Sequence, residues 1–138
     1  MQSPVLKDLR DVPLRRGGIA KLSEALRQLH GALVDDAKAD YQKAEGPIAG
    51  PGALLQLLTH HESFAWIRPL SSHLAELEHA DATRDDEKLR DQLIAVERLF
   101  APTSPFATRY FASFQRSPDV VMLHAATQAA LRGTRLVD

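Results

Sequence analysis

Apolar residues recur at every third or fourth position along most of the chain, the spacing that lays one apolar stripe along an α-helix. The clearest stripe begins at Ile19 and continues through Leu22, Leu26, Leu29, Leu33, Ala37, Tyr41 and Ala44. Leu and Ala, whose side chains lose little rotamer freedom in a helix, far outnumber Val and Ile. Because no stretch alternates with the period of two that a half-buried strand requires, the sequence predicts an all-α protein.

Glycine and proline mark where these helices begin and end. Gly46-Pro47 is expected to end the first helix, and Gly50-Pro51 to start the second. Ser104-Pro105 and Ser117-Pro118 each combine a capping residue with a proline suited to the first turn. Each of these two pairs is therefore expected to open a further helix.

The second helix, which starts near Pro51, has leucine on more than one face, at Leu54, Leu55, Leu57 and Leu58. Leucine on several faces indicates burial on several sides, so this helix is predicted to be central in the bundle. Further along, Pro69 removes an amide donor and disfavours helical geometry at the residue before it. A kink or a break is therefore expected near Trp66 to Pro69.

Residues 1–18 differ in pattern from the rest of the chain. They carry Pro4 and Pro13 and end at Gly17-Gly18, so we interpret them as an N-terminal arm or a loosely docked segment, with helix beginning after the glycines. Residues 19–138 show no repeat of fixed period and no shift in composition. The predicted architecture is a single-domain helical bundle of five to seven helices.

The composition is that of one ordinary globular domain, with 44% hydrophobic and 25% charged residues in a chain of 138. A formal net charge of -1 gives no global field to hold nucleic acid. No segment approaches the roughly 20 uninterrupted apolar residues of a membrane span. The absence of cysteine excludes disulfides, thiolate zinc sites and cysteine nucleophiles. We expect a cytoplasmic protein that binds neither nucleic acid nor a membrane.

The stretch "GPIAGPGALLQLLTHHESFAWIRPLSSHLAELE", Gly46 to Glu78, resembles a segment of short uncharacterised bacterial all-helical proteins. It covers about a quarter of the chain. The resemblance implies a bacterial source, and it brings no activity, cofactor or site residue with it.

Candidate ligand-binding residues surround the only tryptophan of the chain. They are His60, His61, Trp66, Arg68 and His73. In one interpretation the aromatic and histidine side chains wall a pocket in which Arg68 meets a carboxylate or a phosphate. In the other, Trp66 fills the space at the helix break and packs in the core.

The tripeptide His60-His61-Glu62 invites comparison with hemerythrin-like di-iron bundles, which use pairs of ligands at i and i+4. Adjacent residues on a helix point about 100° apart, and the sequence has no His-x-x-x-His or His-x-x-x-Glu pair. Glu76-x-x-His79 has the spacing of a carboxylate-bridged site but occurs once. We therefore predict no metal site and no cofactor.

An aromatic stripe at helical spacing is formed by Phe106, Tyr110, Phe111 and Phe114. Such a stripe lies either in the core or at a dimer seam. We take it as a candidate interface.

The leading hypothesis is a non-enzymatic helical interaction module that binds a protein partner or itself through an apolar helix face. The alternative is a small-molecule, haem or metal-binding bundle that uses the region of His60, His61, Trp66 and Arg68. An enzyme is the third hypothesis, because the sequence has no Gly-rich phosphate loop, no Gly-x-Ser-x-Gly elbow and no His-Glu-x-x-His motif. No catalytic residue is assigned.

Overall fold

The computed structural model of the chain describes residues 13–134. Within this range the chain forms six α-helices, one 3-10 helix and no strand, which confirms the predicted all-α single-domain bundle. The elements in order are α1 (Arg16–Glu45), α2 (Pro51–His60), the 3-10 helix (Glu62–Ile67), α3 (Arg68–Ala82), α4 (Asp86–Leu99), α5 (Pro105–Arg116) and α6 (Pro118–Arg132). Most of the predicted N-terminal arm, residues 1–12 of the segment 1–18, lies outside the described residues.

Helix α1 is the central helix of the bundle, packed against α3, α5, α6 and the 3-10 helix. Its apolar stripe faces inward along most of its length, as the sequence pattern predicts. The buried members of the stripe are Ile19, Leu22, Leu26, Leu29, Leu33 and Ala37. Gly46 ends α1 at a φ of 93°, in the region that favours glycine, and its N–H donates to the carbonyl of Gln42 at 3.0 Å. The predicted end of this helix is therefore confirmed.

The predicted start of α1 after the two glycines is wrong, because the helix begins at Arg16 and includes both of them. Gly18 lies so close to the end of α6 that a Cβ there would clash with the carbonyl of Gly133. Beside this contact, the N–H of Arg15 donates to the carbonyl of Thr134 at 2.8 Å. Gly18 thus permits a close approach of two helix ends and does not stop a helix.

The predicted break near Trp66 to Pro69 is confirmed. The 3-10 helix ends at Ile67, and α3 begins at Arg68 with Pro69 in its first turn. Ser104 and Ser117 cap α5 and α6, each with its side-chain oxygen accepting a hydrogen bond from a backbone N–H of the first turn.

Helix α2 is not the central helix, so that prediction is wrong. None of its residues is buried, Leu55 is 61% exposed, and its main contacts are with the 3-10 helix that follows it. Leucine content shows how much apolar surface a segment has, but not how much of that surface other elements cover. Because α1 takes the central position, α2 lies over the surface of the bundle and leaves a pocket beneath it.

Candidate functional site

A pocket of about 380 Å³ lies between α2 and the body of the bundle. It is lined by three residues of α2 (Leu55, Leu58, Thr59), two of the 3-10 helix (Phe64, Ile67), three of α3 (Arg68, Ser71, Ser72) and one of α1 (His30). The walls are mostly apolar, and the polar groups come from α1, α3 and Thr59. This size and this kind of lining are typical of sites for small molecules.

The floor of the pocket is buried and apolar. Phe64 and Ile67 are buried in the core, and the turn of the 3-10 helix places residues three apart on the same side. The roof is formed by Leu55 and Leu58, which the protein itself covers only in part. A ligand in the pocket would therefore lie between the buried floor and the partly exposed side chains of Leu55 and Leu58.

One polar wall of the pocket is a contact between α1 and α3. His30 Nε2 lies 2.6 Å from Ser71 Oγ, which is hydrogen-bonding distance. Burial lowers the pKa of His30, so the ring is neutral at neutral pH and has one donor and one acceptor nitrogen. No carboxylate of the described residues orients the His30 ring, so the pair lacks the third member of a catalytic triad. The His30–Ser71 pair places hydrogen-bonding groups in the pocket wall, where a ligand could contact them.

Arg68 forms the other polar wall and also holds the end of α2. Its Nε donates to the carbonyl of Leu58 at 3.0 Å, and one Nη donates to the carbonyl of His61 at 2.8 Å. A cation suits this position, because the last carbonyls of a helix have no partner within the helix and carry partial negative charge. Within residues 13–134 the guanidinium pairs with no carboxylate, and its second Nη has no partner.

The structure separates the five predicted ligand-binding residues, and of these only Arg68 lines the pocket. His60 is exposed at the last position of α2. His61 is half-buried, its Nδ1 accepts a hydrogen bond from the N–H of Ser63 at 3.1 Å, and its ring meets the Tyr41 ring edge-on. The two histidines therefore differ in exposure and in partners.

Trp66 and His73 lie at two further places. The Trp66 ring packs on Phe106 with centroids 5.7 Å apart and lines a separate cleft of about 290 Å³ with Arg109 among its other residues. His73 Nδ1 lies 3.0 Å from Gln92 Oε1, where α3 meets α4. The pocket wall predicted from Trp66 and the neighbouring histidines is not assembled as one surface.

No group of three His, Asp or Glu side chains in residues 13–134 is arranged to hold a metal ion. Glu76, which precedes His79 by three positions, pairs instead with Lys88 at 3.1 Å.

The four predicted interface residues divide between core and surface. Phe106 and Tyr110 are buried, and the Tyr110 hydroxyl lies 2.7 Å from His124 Nδ1. Burial raises the pKa of Tyr110 and lowers that of His124, so both are neutral at pH 7. Phe111 is 36% exposed and Phe114 is half-buried, so only these two reach the surface.

His30, Ser71 and Ser72 line the pocket but are not among the residues predicted to bind a ligand. A signal for His30 exists, because it follows Leu26 by four positions and precedes Leu33 by three, which places it at the edge of the inward stripe of α1. A polar residue at such an edge is held close to the next helix. Its partner on α3 could not be identified without the packing of the two helices.

Comparisons with protein-family models, with curated proteins and with solved structures give no significant match. The resemblance of residues 46–78 to bacterial proteins therefore stays a prediction. Between residues 13 and 134 no helix combines the length and the apolar character needed to cross a bilayer.

Proposed function

We propose that the protein is a helical binding protein for a small, mostly apolar molecule, which it holds in the pocket beneath α2. The observation that carries the proposal is the pocket itself: an apolar floor and roof with His30, Ser71, Ser72 and Arg68 at its edge. This is the small-molecule alternative from the sequence, with Arg68 retained and the other predicted residues replaced.

The incomplete burial of α2 supports this proposal. Helix α2 has no buried residue, and Leu57 and Leu58 pack only in part against the core. Apolar surface of α2 is therefore left uncovered, although burial of such surface is the main favourable contribution to folding. A ligand between α2 and the 3-10 helix would cover the inner sides of Leu55 and Leu58. Helix α2, the most apolar of the described helices, would then be covered by the ligand on its inner side.

The test is a comparison of decanol binding by the wild-type chain and by a variant with a blocked pocket, measured by isothermal titration calorimetry. Ser72→Phe places a large ring at an exposed position of the pocket wall without changing the core. Thr108→Phe is the matched control, at an exposed helical position outside the pocket lining. We expect one equivalent of decanol to bind the wild type and the control, and affinity to fall at least about tenfold in Ser72→Phe. Equal binding by all three proteins overturns the proposal, and so does a wild type that binds neither decanol nor the carboxylate and the amine of the same chain length.

A second candidate function is self-association, the interaction hypothesis from the sequence, with the exposed face of α6 in place of the predicted aromatic stripe of α5. Val121 is 39% and Met122 is 73% exposed, and no Asp, Glu, Lys or Arg occurs between Asp119 and Arg132. The large exposed residues lie in the first half of α6, and exposed alanines lie in the second half. In an antiparallel two-fold pair, Met122 of each copy would lie over Ala129 of the other, so large side chains meet small ones.

Light scattering over a hundredfold range of concentration tests this second candidate. We expect the mass of the wild type to rise with concentration and Met122→Lys to remain a monomer, because a charge on this face opposes its burial. Ala82→Lys adds the same charge at an exposed position at the end of α3 and should behave as wild type. A wild-type chain that is monomeric throughout the range would exclude self-association.

The cytoplasmic location, the bacterial source and the absence of a nucleic-acid partner stay predictions from the sequence alone.

A further inference from the structure

We infer that the molecule held beneath α2 is a medium-chain aliphatic carboxylate, with its carboxylate at Arg68 and Ser72 and its alkyl chain along the apolar floor. This inference rests on the proposed function and adds the chemical class of the ligand.

The charge of the pocket points to an anion. Arg68 is half-buried and pairs with no carboxylate within residues 13–134, and the lining contains no Asp or Glu. Its two hydrogen bonds, to the carbonyls of Leu58 and His61, leave one Nη without a partner among the described residues. A positive charge that is partly removed from water favours a negative partner, and a charge-assisted hydrogen bond to a carboxylate is stronger than a bond between neutral groups.

A second donor lies on the same wall. The Ser72 hydroxyl makes no hydrogen bond to any described residue, although the adjacent Ser71 is engaged with His30. Arg68 and Ser72 are four positions apart on α3, so both side chains lie on one face of the helix. Two donors on one helix face suit the two oxygens of a carboxylate.

The remaining lining suits an alkyl chain. Leu55 and Leu58 expose aliphatic surface to the pocket, and the buried Phe64 and Ile67 back it from below; none of these four side chains carries a hydrogen-bonding group. The volume of about 380 Å³ lies near the lower end of the range for small-molecule sites, which favours a medium chain over a long one. Arg68 also donates to the carbonyls of Leu58 and His61 at the end of α2. The same side chain would therefore contact both the bound carboxylate and the end of α2.

The experiment measures the affinities of decanoate, decanol and decylamine for the wild-type chain at pH 7 and low salt, by isothermal titration calorimetry. The three probes share one alkyl chain and differ in the charge of the head group. We expect decanoate to bind at least about tenfold more tightly than decanol, and decylamine to bind most weakly. The preference for decanoate should decrease in high salt, since the pocket is open to solvent.

Arg68→Gln locates the effect, because glutamine keeps hydrogen-bond donors near the α2 carbonyls and removes the charge. The ratio of decanoate to decanol affinity should fall to near one, and decanol affinity itself reports whether the pocket is still formed.

Decanol binding without a preference for decanoate in the wild type overturns the anionic ligand and leaves the proposed function standing. Absence of binding by all three probes overturns both. A preference that persists in Arg68→Gln shows that another group selects the anion, which contradicts the inference. If Arg68→Gln does not fold, the order of the three probes in the wild type decides the question.

Discussion

His30 Nε2 lies 2.6 Å from Ser71 Oγ, and this contact joins the central helix α1 to α3 at the polar wall of the pocket. The imidazole is half-buried, and its pKa is lowered because burial disfavours the charged form. Protonation therefore opposes the folded state at the same place where the ligand is proposed to bind.

Stability is expected to decrease when the pH falls below the ordinary histidine pKa of about 6.5. Below that value the unfolded chain takes up the proton while the folded chain resists it, so stability is lost as the pH falls through the lowered folded-state pKa of His30. Burial also lowers the pKa of His124.

His30→Gln should make the free energy of unfolding less dependent on pH between about 7 and 5, as measured by urea unfolding. His60→Gln, at an exposed ring, is the matched control. Equal pH dependence in His30→Gln and the wild type would contradict the prediction.

The adjacent glycines at the start of α1 are expected to respond in opposite directions to alanine. A Cβ on Gly18 would clash with the Gly133 carbonyl, so Gly18→Ala must push α1 and α6 apart and should cost about 1–3 kcal/mol of stability. A Cβ on Gly17 meets no atom within 4 Å. Gly17→Ala should be neutral or raise stability by up to about 1 kcal/mol, because alanine is the better helix former. Thermal unfolding of both variants checks the difference, and a Gly18→Ala variant as stable as Gly17→Ala would refute the close approach.

The features that could be predicted from the sequence are those decided by neighbouring residues. Ser104-Pro105 and Ser117-Pro118 start helices because the serine side chain and the proline ring act within the first turn. The break before Pro69 has the same local cause. The inward stripe of α1 could be predicted because the helical repeat fixes which residues share a face.

The features that could not be predicted depend on which elements meet in space. Leu55 and its neighbours suggested a central helix, yet the central position goes to α1, which has 30 residues and is three times as long as α2. Gly18 suggested a helix stop, because a sequence does not show that the end of α6 lies against it. The His30–Ser71 contact joins residues 41 positions apart, so it becomes visible only when α1 and α3 are packed together.

Asp36 is expected to contribute stability that is lost in acid. It accepts hydrogen bonds from buried Ser113 at 2.7 Å and from Arg116 at 2.6 Å, which join α1 to α5. Burial alone would raise its pKa, but the hydrogen bonds and the positive charge of Arg116 outweigh burial and lower the pKa. The contribution is present above the ordinary pKa of about 3.9 and is lost as the pH falls through the lowered folded-state value.

Asp36→Asn should therefore lower the free energy of unfolding at pH 7 by about 1–2 kcal/mol, and the deficit should shrink toward pH 3 as the wild type loses the same interaction. Asp35→Asn, at the exposed neighbouring position, is the control and should stay within about 0.5 kcal/mol of wild type. Urea unfolding at both pH values is the measurement. A deficit of the same size at pH 7 and pH 3 would show that packing, and not the charge of Asp36, causes the loss.

Arg68 is expected to fix the position of α2, because its two hydrogen bonds to Leu58 and His61 join the end of α2 to α3. Helix α2 has no buried residue, and only Leu57 and Leu58 pack in part against the core, so its local opening exposes little buried surface. Arg68→Met removes the hydrogen-bond donors and keeps an unbranched side chain of similar reach in the pocket wall. The amides of α2 should then exchange hydrogen about tenfold faster or more, while the amides of α1 near Leu26 and Leu29, which lie in the core, change little. Arg68→Lys, which keeps the charge but can form fewer of these bonds, should lie between Arg68→Met and the wild type. Unchanged exchange in α2 would mean that its apolar contacts with the 3-10 helix alone hold it, and equal acceleration in α1 would mean that Arg68 acts on the whole fold.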